Sequence, residues 1–350
     1  MLPVTNYCPD QNIFTPCQTN LARRGYCIHQ EESNISSVNP PPPGPRILLS
    51  GASGMLGTAL REALATRNTP FINLVRGTPV EPNQLQWNPA GAQAIAHSEG
   101  LEDLTAAIHL SGANLAARRW TPEYKRAIGE SRIGSTRALS TALARLSHPP
   151  KMFLVASAVG IYGNRGDELL DETSPLGKGF IADLCREWEA AAKPAVDAGI
   201  RVVHLRFGVV LAAGQGALAR LVPLFRMGLG GQLGSGRQYM SWISLPDALA
   251  AIFFVLESPS LAGPVNFTAP NPVTNAQFTS ALATQLHRPA FLSVPGFALR
   301  LALGEMARET LLWGARAYPA KLAASGFQFS HASLVHALPA ILDPRVDLGL

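Results

Sequence analysis

The sequence predicts an α/β fold in which a parallel sheet is covered by helices on both faces. Short apolar runs alternate with longer amphipathic stretches from Arg46 onward. The runs are almost continuously apolar, which is typical of strands that are buried on both faces of a sheet. The chain has 350 residues, of which 47% are hydrophobic, so it can bury one large core or two unequal ones.

Five segments have the length and composition of buried strands. They are "RILLS" (46–50), "FINLV" (71–75), "AAIHLS" (106–111), "MFLVAS" (152–157) and "RVVHLRF" (201–207). The clearest of the helices between them begins after Thr121, a favourable N-cap, with Pro122 at the first helical position. After about residue 212 come a glycine-rich loop, "GLGGQLGSGRQ" (228–238), then helix and strand, and a mostly helical C-terminal part. We expect this smaller lobe to close over the carboxyl ends of the strands.

Composition limits the classes of protein to which the chain can belong. Residues 1–44 lack periodicity and end in "NPPPPGP", which predicts a disordered N-terminal extension. The net charge is +5, but the arginines are scattered, so we expect no nucleic-acid partner. No uncharged apolar run reaches the roughly 18 residues of a membrane span, and we expect no membrane partner. The cysteines form no CxxC pair, which favours a reducing cytoplasm over a disulfide scaffold and indicates no metal site. We expect a monomer or a homodimer.

A glycine pattern follows the first predicted strand. In "RILLSGASGMLGTALREAL", Gly51 permits a tight turn, Gly54 lets the backbone approach a pyrophosphate, and Gly57 lets the helix pack closely on the strand. The phosphates would lie at the helix N-terminus, where free N–H groups favour negative charge. The alternative is a tight strand-to-helix turn without a ligand. Because strand, spacing and helix agree, we predict dinucleotide binding in a Rossmann-type doubly wound sheet.

The end of the second predicted strand favours NADP over NAD. An acidic residue there would bind the ribose 2′-OH of NAD, whereas an arginine would accommodate the 2′-phosphate of NADP. The sequence "FINLVRGTPV" has no Asp or Glu between Asn68 and Val80, and it supplies Arg76. We therefore predict Arg76 as the 2′-phosphate ligand; the alternative is a solvated loop arginine.

Several segments resemble one enzyme family. They are "GASGMLG", "HLSGANLAARRWTPEYKRAIGESRIGST", "SAVGIYG", "RFGVVLAAGQGAL", "GQLGSGRQYMSWISLPDAL" and "GPVNFTAPNPVTNAQF". Together they resemble the NAD-dependent epimerase/dehydratase members of the short-chain dehydrogenase/reductases, over about residues 46–340. More narrowly, they resemble an atypical, sugar-nucleotide-epimerase-like branch with a C-terminal domain of unknown function. The resemblance implies a Rossmann domain over 45–265, with substrate-lobe segments from about 212, and a smaller, mostly helical C-terminal lobe over 266–350.

The sequence departs from the family at the catalytic pair. In the extended reductases and epimerases, a Tyr–xxx–Lys pair carries out the acid/base chemistry. None of the six tyrosines here has a lysine four residues later. If Glu189 matches the family glutamate that follows the pair, the stretch "FIADLCREWE" (180–189) places Ile181 and Cys185 at the two positions. Neither side chain can replace the pair, because isoleucine has no acidic proton and an unperturbed thiol is mostly neutral at pH 7.

The candidate site residues follow from these motifs and from the resemblance. We predict Tyr162 as the proton carrier and Lys125 as a substrate neighbour; the alternatives are a packing tyrosine and a solvated lysine. Trp120, Gln238 and Trp242 resemble pocket-lining positions, although packing in a core or lid is the competing interpretation. The predicted cofactor contacts are Gly51, Ser53, Gly54, Met55, Leu56, Gly57, Arg76, Ser111, Gly112, Arg132 and Ser157. Arg132 stands where the family usually has an asparagine, and Ser157 is shifted by one position against Ala158.

Two functions remain open from the sequence. The first is an NADP-dependent oxidoreductase or epimerase that acts on a small polar or sugar-like substrate. The second is a non-catalytic NADP(H)-binding sensor of redox state or of a metabolite. The missing Tyr–xxx–Lys pair favours the sensor, whereas the glycine-rich loop 228–238 and the predicted aromatic cleft favour the enzyme.

Overall fold

A seven-stranded parallel sheet forms the centre of the computed structural model, which describes residues 46–343 apart from 92, 93, 96 and 97. The strands are β1 (Ile47–Ser50), β2 (Phe71–Val75), β3 (Gln84–Gln86), β4 (Ala106–His109), β5 (Met152–Ala158), β6 (Leu169–Leu170), β7 (Arg201–Phe207), β8 (Val209–Ala212), β9 (Gly231–Leu233), β10 (Tyr239–Met240), β11 (Trp242–Ser244), β12 (Gly263–Phe267), β13 (Val273–Thr274), β14 (Leu292–Val294) and β15 (Arg316–Ala317). The order in the large sheet is β12-β7-β5-β4-β1-β2-β3, and the remaining strands form two-stranded pairs.

Helices cover the large sheet and build the C-terminal part. They are α1 (Met55–Thr66), α2 (Pro122–Gly129), α3 (Ser135–Ala144), α4 (Phe180–Ala190), α5 (Lys193–Asp197), α6 (Gly216–Arg226), α7 (Leu245–Glu257), α8 (Asn275–Leu286), α9 (Gly296–Leu303), α10 (Glu305–Ala307), α11 (Ala320–Ala324) and α12 (Leu334–Leu342). A π-helical turn, Glu130–Gly134, joins α2 to α3, and a second one, Arg308–Leu312, follows α10. The predicted α/β class, with a mostly helical C-terminal region, is confirmed.

The five strands that the sequence predicts are the five central strands of the sheet, β2, β1, β4, β5 and β7. The two edge strands, β3 and β12, are not among those five segments; β12 follows α7, where the sequence indicates a strand without bounds. An edge strand is less enclosed, so its sequence carries a weaker apolar signal, and β3 has no buried residue. Strand order reverses direction between β1 and β4, which places a ligand-binding crevice at their carboxyl ends.

Local signals set the ends of the helices around this crevice. The Thr121 hydroxyl accepts the backbone N–H of Tyr124 at 3.2 Å, and Pro122 occupies the first turn of α2, as predicted. Helix α8 begins with a capping box between Thr274 and Gln277. The glycine-rich loop 228–238 is partly a strand, because β9 lies within it and pairs with β14 in parallel.

The buried apolar side chains of the described residues form three clusters. The main cluster lies between the large sheet and its helices. A second cluster joins α2 and α4 to Met306 and Ala315, and a third joins α6, α8 and α12. Within the described ranges, no helix combines the length and the apolar character needed to cross a membrane. The predicted extension over 1–44 lies outside the described residues, and the domain boundary at 265/266 stays a prediction.

Candidate functional site

The turn after β1 needs its glycines because backbones approach closely there. Gly51 has a φ of +79°, and a Cβ at this position would lie 2.6 Å from the carbonyl carbon of Leu110. A Cβ at Gly57 would lie 2.1 Å from the carbonyl oxygen of Gly51, so only glycine lets α1 pack on this turn. No side chain caps the N-terminus of α1. Its first N–H groups are therefore available to a phosphate.

A cavity of about 570 Å³, here called the dinucleotide groove, lies at the carboxyl ends of β1, β2 and β4. Its lining includes six of the eleven predicted cofactor residues, namely Gly51, Ser53, Gly54, Arg76, Ser111 and Gly112. The other five, Met55, Leu56, Gly57, Arg132 and Ser157, are not in its lining. The first three of these lie in the first turn of α1, whose peptide groups and close packing shape the groove.

Two buried polar groups in the groove have no hydrogen-bond partner among the residues that the structure describes, and neither was predicted from the sequence. Arg61 on α1 lines the groove with its Nε buried and unpaired. Asn73 in β2 is 2% exposed, and its Oδ1 is likewise unpaired. Unsatisfied buried polar groups destabilise a fold, so their presence in one cavity indicates a polar ligand there. Together with the exposed Arg76, they fit the phosphate-bearing adenosine end of NADP.

The sequence contains signals for both missed residues. Arg61 is four positions after Gly57, so the two share a face of α1. Asn73 is the one polar residue inside the apolar run "FINLV".

A chain of buried hydrogen bonds holds Ser111 in the groove wall. The Ser111 hydroxyl donates to the Ser50 hydroxyl at 3.2 Å, and Ser50 Oγ lies 2.5 Å from His109 Nδ1. His109 Nε2 lies 3.1 Å from the Ser135 hydroxyl oxygen. Burial lowers the pKa of His109 to about 3, so this imidazole is neutral at physiological pH.

Arg132 and Ser157 support the site from behind its surface. The Arg132 Nη2 donates to the Ala113 carbonyl oxygen at 2.9 Å, and its guanidinium lies so close to Gly112 that a Cβ there would be 3.1 Å from Cζ. The Ser157 hydroxyl donates to Glu189 Oε1 at 2.7 Å. The residue as a whole is 3% exposed. Arg132 therefore holds the backbone of the loop after β4, and Ser157 holds the Glu189 carboxylate. Neither residue lines the groove, and their direct contact with the cofactor stays a prediction.

Tyr162 is enclosed in a buried polar network. Its hydroxyl donates to Asn266 Oδ1 at 2.8 Å and accepts from Arg206 Nη1 at 3.0 Å, and the residue is 0% exposed. Burial raises the pKa of Tyr162, against the opposing effect of Arg206. Arg206 in turn donates to both carboxylate oxygens of Glu189, at 2.8 and 2.9 Å. This placement does not support Tyr162 as the proton carrier, because its proton is held by Asn266 and its surface is covered.

Lys125 is also engaged within the protein. Its ammonium group forms an ion pair with Glu305 and lies 4.4 Å from the ring centre of Phe180. These contacts fasten α2 to the C-terminal region. They do not support the predicted contact between Lys125 and a substrate.

Two adjoining cavities lie beyond the groove. The first cavity, about 270 Å³, is at the carboxyl ends of β5 and β7 and is lined by Ala158, Ile181 and Phe207. The second cavity, about 450 Å³, lies among α6, β9 and α8. Both are lined by Val209, Tyr239, Met240, Thr310 and Trp313. The loop after β4 borders all three spaces, with Ser111 in the groove, Leu115 in the first cavity and Ala116 in the second.

Helix α4 forms one side of the first cavity and carries no acid/base group into it. Ile181 is 8% exposed and lines the cavity. Burial, reinforced by Glu189, raises the pKa of the Cys185 thiol to about 12, so Cys185 is neutral and inert. The helix N-terminus is capped by Glu309, whose Oε1 accepts from Phe180 N at 3.1 Å and whose Oε2 accepts from Ile181 N at 2.8 Å.

The three residues predicted to line the substrate pocket divide between core and cleft. Trp120 and Trp242 are core residues, because their indole N–H groups donate to the carbonyl oxygens of Leu115 and Asn271 and the rings are enclosed. Neither ring lines the groove or the two cavities, so the structure does not bring the predicted stacking pair together there. Gln238 does line the second cavity. The aromatic residues that both cavities share are Tyr239 and Trp313, which sequence reasoning did not identify.

Comparison with known proteins agrees with the resemblance seen in the sequence. A model of the NAD dependent epimerase/dehydratase family matches residues 47–267, and a domain of unknown function (DUF1731) matches residues 294–341. Epimerase family protein ML0860 of Mycobacterium leprae is 46% identical over 292 residues, which cover 83% of this chain and 94% of that protein.

Two solved structures are similar in fold and sequence. The crystal structure of human epimerase family protein SDR39U1 (isoform 2) with NADPH has a TM-score of 0.78 and 32% identity, covering 85% of this chain and 99% of that chain. The nucleoside-diphosphate sugar epimerase from Corynebacterium glutamicum has a TM-score of 0.71 and 34% identity, covering 85% of this chain and 58% of that chain. From its matched segments and from these relatives, the chain belongs to the NAD dependent epimerase/dehydratase family.

Proposed function

We propose that this chain is an NADP(H)-dependent oxidoreductase, or an epimerase that acts through transient oxidation, on a small molecule held beside the nicotinamide end of its groove. The observation that carries the proposal is the position of the first and second cavities. A dinucleotide lies across the carboxyl ends of such a sheet, so its nicotinamide end would be directed toward β5 and β7. The cavities provide space for a second molecule there.

The groove favours NADP over NAD as the partner. Arg76 at the end of β2 and Arg61 on α1 line the adenosine end, and no carboxylate is among the residues that line it. An arginine pair is suited to a 2′-phosphate, because guanidinium groups bind phosphate oxygens in a fixed planar geometry. NADPH is the ligand in the structure of the human relative, which supports the same cofactor here.

The residues of the chain bind and orient, and the cofactor supplies the redox chemistry. When bound, NADPH supplies the hydride. Gly51, Gly54 and the open N-terminus of α1 hold the phosphates, and Ser111 borders the groove where it meets the cleft. Ala158, Ile181 and Phe207 would give the nicotinamide end an apolar wall in the first cavity, which Lys178 and Glu309 also line.

A binding experiment tests the cofactor assignment. Titration of the full chain by intrinsic fluorescence should show NADPH binding at least tenfold more tightly than NADH, since a hydrogen bond to a charged group contributes about 1.5–3 kcal/mol. Arg76→Ala and Arg61→Ala should each weaken NADPH binding about tenfold or more and leave NADH nearly unchanged. Arg145→Ala, on an exposed residue outside the groove lining, is the matched control. Equal affinities for the two cofactors would remove the case for NADP.

A non-catalytic NADP(H) sensor is the second candidate. The specific observations that favour it are that Ile181 and Cys185 carry no usable proton and that Tyr162 is enclosed. The two functions differ in turnover. NADPH incubated with the protein and a fractionated metabolite extract should be consumed well beyond one equivalent by an oxidoreductase, and absorbance at the reduced nicotinamide band follows this loss. An epimerase regenerates its cofactor in every cycle, so it is detected instead by isomerisation of a component of the extract in the presence of NADP⁺. A sensor binds the same NADPH without consuming it.

A further inference from the structure

We propose that the second cavity binds a largely apolar molecule with a single hydrogen-bonding oxygen, of the ketone or alcohol class, and that it does not bind a nucleotide sugar. The inference rests on the proposed function, because it names the class of molecule that would meet the nicotinamide end of the groove. It departs from the polar or sugar-like substrate that the sequence predicts.

The wall of the second cavity is largely apolar. Most side chains that line the second cavity are apolar, including Leu221, Phe225, Leu233, Met240, Phe278 and Trp313. Among the described residues that line it, the one charged side chain is Arg220. It is exposed, and its Nη2 donates to the Ala116 carbonyl oxygen at 3.1 Å. A diphosphate bound here would therefore lack the set of cations that its charge requires.

Most of the polar side chains that line the second cavity already make a hydrogen bond within the protein. Gln238 Nε2 donates to the carbonyl oxygens of Leu233 and Leu311, both at 2.9 Å. Asn275 Oδ1 accepts the Leu233 N–H at 2.8 Å. The Thr310 hydroxyl donates to the Met306 carbonyl oxygen at 2.8 Å. Sugar hydroxyls need partners when buried, and each unmatched one weakens binding by roughly tenfold.

A tyrosine phenol lies at the junction of the two cavities. Tyr239 is partly buried and lines both of them. Its hydroxyl has no hydrogen-bond partner in the part of the chain that the structure describes. Its ring is fixed by the pairing of β10 with β13 and by the Arg316 guanidinium 5.1 Å from the ring centre. Tyr239 can thus give one hydrogen bond to a ligand oxygen at the border with the nicotinamide end.

The experiment uses three probes on the full chain. Calorimetry first measures NADPH binding, which tests the proposed function alone. The NADPH-saturated protein is then titrated with cyclohexyl phenyl ketone, with the hydrocarbon in which a CH₂ replaces the carbonyl, and with UDP-glucose. We expect the ketone to bind at least tenfold more tightly than UDP-glucose and more tightly than the hydrocarbon. Tighter binding of UDP-glucose, or binding of none of the three probes to a protein that binds NADPH, overturns the proposal.

Two variants locate the binding site. Ala217→Trp adds bulk to the wall of the second cavity and should weaken ketone binding at least tenfold, while Ala219→Trp on the exposed face of the same helix α6 should not. Retained NADPH binding shows that each variant is folded. Tyr239→Phe should weaken binding of the ketone about three- to tenfold, because one neutral hydrogen bond is lost, and should leave binding of the hydrocarbon unchanged. If both Ala217→Trp and Tyr239→Phe bind the ketone as tightly as the unchanged protein does, the ligand lies elsewhere and the assignment is overturned.

Discussion

At the scale of single residues, Tyr162 separates a structural role from a catalytic one. Tyr162→Phe removes a buried hydroxyl and leaves Asn266 Oδ1 and one Arg206 N–H without their partner. We expect the free energy of unfolding to fall by about 1–3 kcal/mol, as measured by urea denaturation, with the Kd for NADPH within twofold.

The control for Tyr162 is another tyrosine. Tyr318→Phe alters a partly buried tyrosine whose hydroxyl has no hydrogen bond among the described residues, so its effect on stability should be small. If Tyr162→Phe kept full stability but abolished consumption of NADPH, Tyr162 would be the proton carrier after all.

The predicted site residues that the structure engages in contacts within the protein share one property. The partners of Tyr162 come from β7 and β12, 44 and 104 residues further along the chain. The partner of Lys125 comes from α10, and Trp242 is satisfied by the Asn271 carbonyl oxygen. A motif states which residue type occupies a position, but whether that side chain faces a cleft or a core depends on such distant contacts. The glycine turn was predictable because its constraints lie within a few residues.

At the scale of elements, the apolar runs alone were sufficient for the five central strands. A strand buried on both faces carries its signal in every residue, whereas β3 has polar residues at both of its ends and packs on one neighbour only. Asn73 shows what the same approach discounts. A polar residue inside an apolar strand does not help to predict secondary structure. Here, however, its Oδ1 is an acceptor in the dinucleotide groove that has no partner among the described residues.

The cap on helix α4 allows a prediction at the same scale. Glu309→Gln replaces one carboxylate oxygen by an amide group that cannot accept from the first N–H groups of α4. We expect a loss of about 1–2 kcal/mol in the free energy of unfolding, because a cap and a favourable interaction with the helix dipole are lost together. Glu305→Gln in the same segment is the control, since its ion pair with Lys125 is partly exposed and contributes little. Equal losses in the two variants would argue against the capping role.

At the scale of the whole molecule, buried histidines make stability depend on pH. The pKa of His109 is about 3 in the folded protein because the ring is buried, against about 6.5 when unfolded, and burial also lowers the pKa of His204. Between these values the unfolded chain binds more protons, so the contribution of these histidines to stability is constant above about pH 6.5 and falls as the pH decreases below it. Because His109 is protonated in the unfolded chain but not in the folded one, it alone should lower the free energy of unfolding by about 2 kcal/mol at pH 5.

Urea denaturation at pH 7, 6 and 5 measures this dependence. His109→Asn should lower stability at pH 7 by breaking the contacts to Ser50 and Ser135, but it should reduce the slope between pH 6 and 5. His336→Asn, at an exposed position on α12, should leave the slope as it is. An unchanged slope in His109→Asn would show that His109 gains protons in the folded state.

The cap that Glu309 places on α4 also sets an order of events during synthesis. Phe180 and Glu309 are 129 residues apart, so a nascent chain can fold its glycine turn and central strands long before residue 309 leaves the ribosome. Closing so long a loop is slow, because its entropy is lost before the contact forms. The wall of the first cavity that α4 provides is thus completed only after the central strands. A chain that stops before residue 309 can present a finished phosphate turn beside an unfinished cleft.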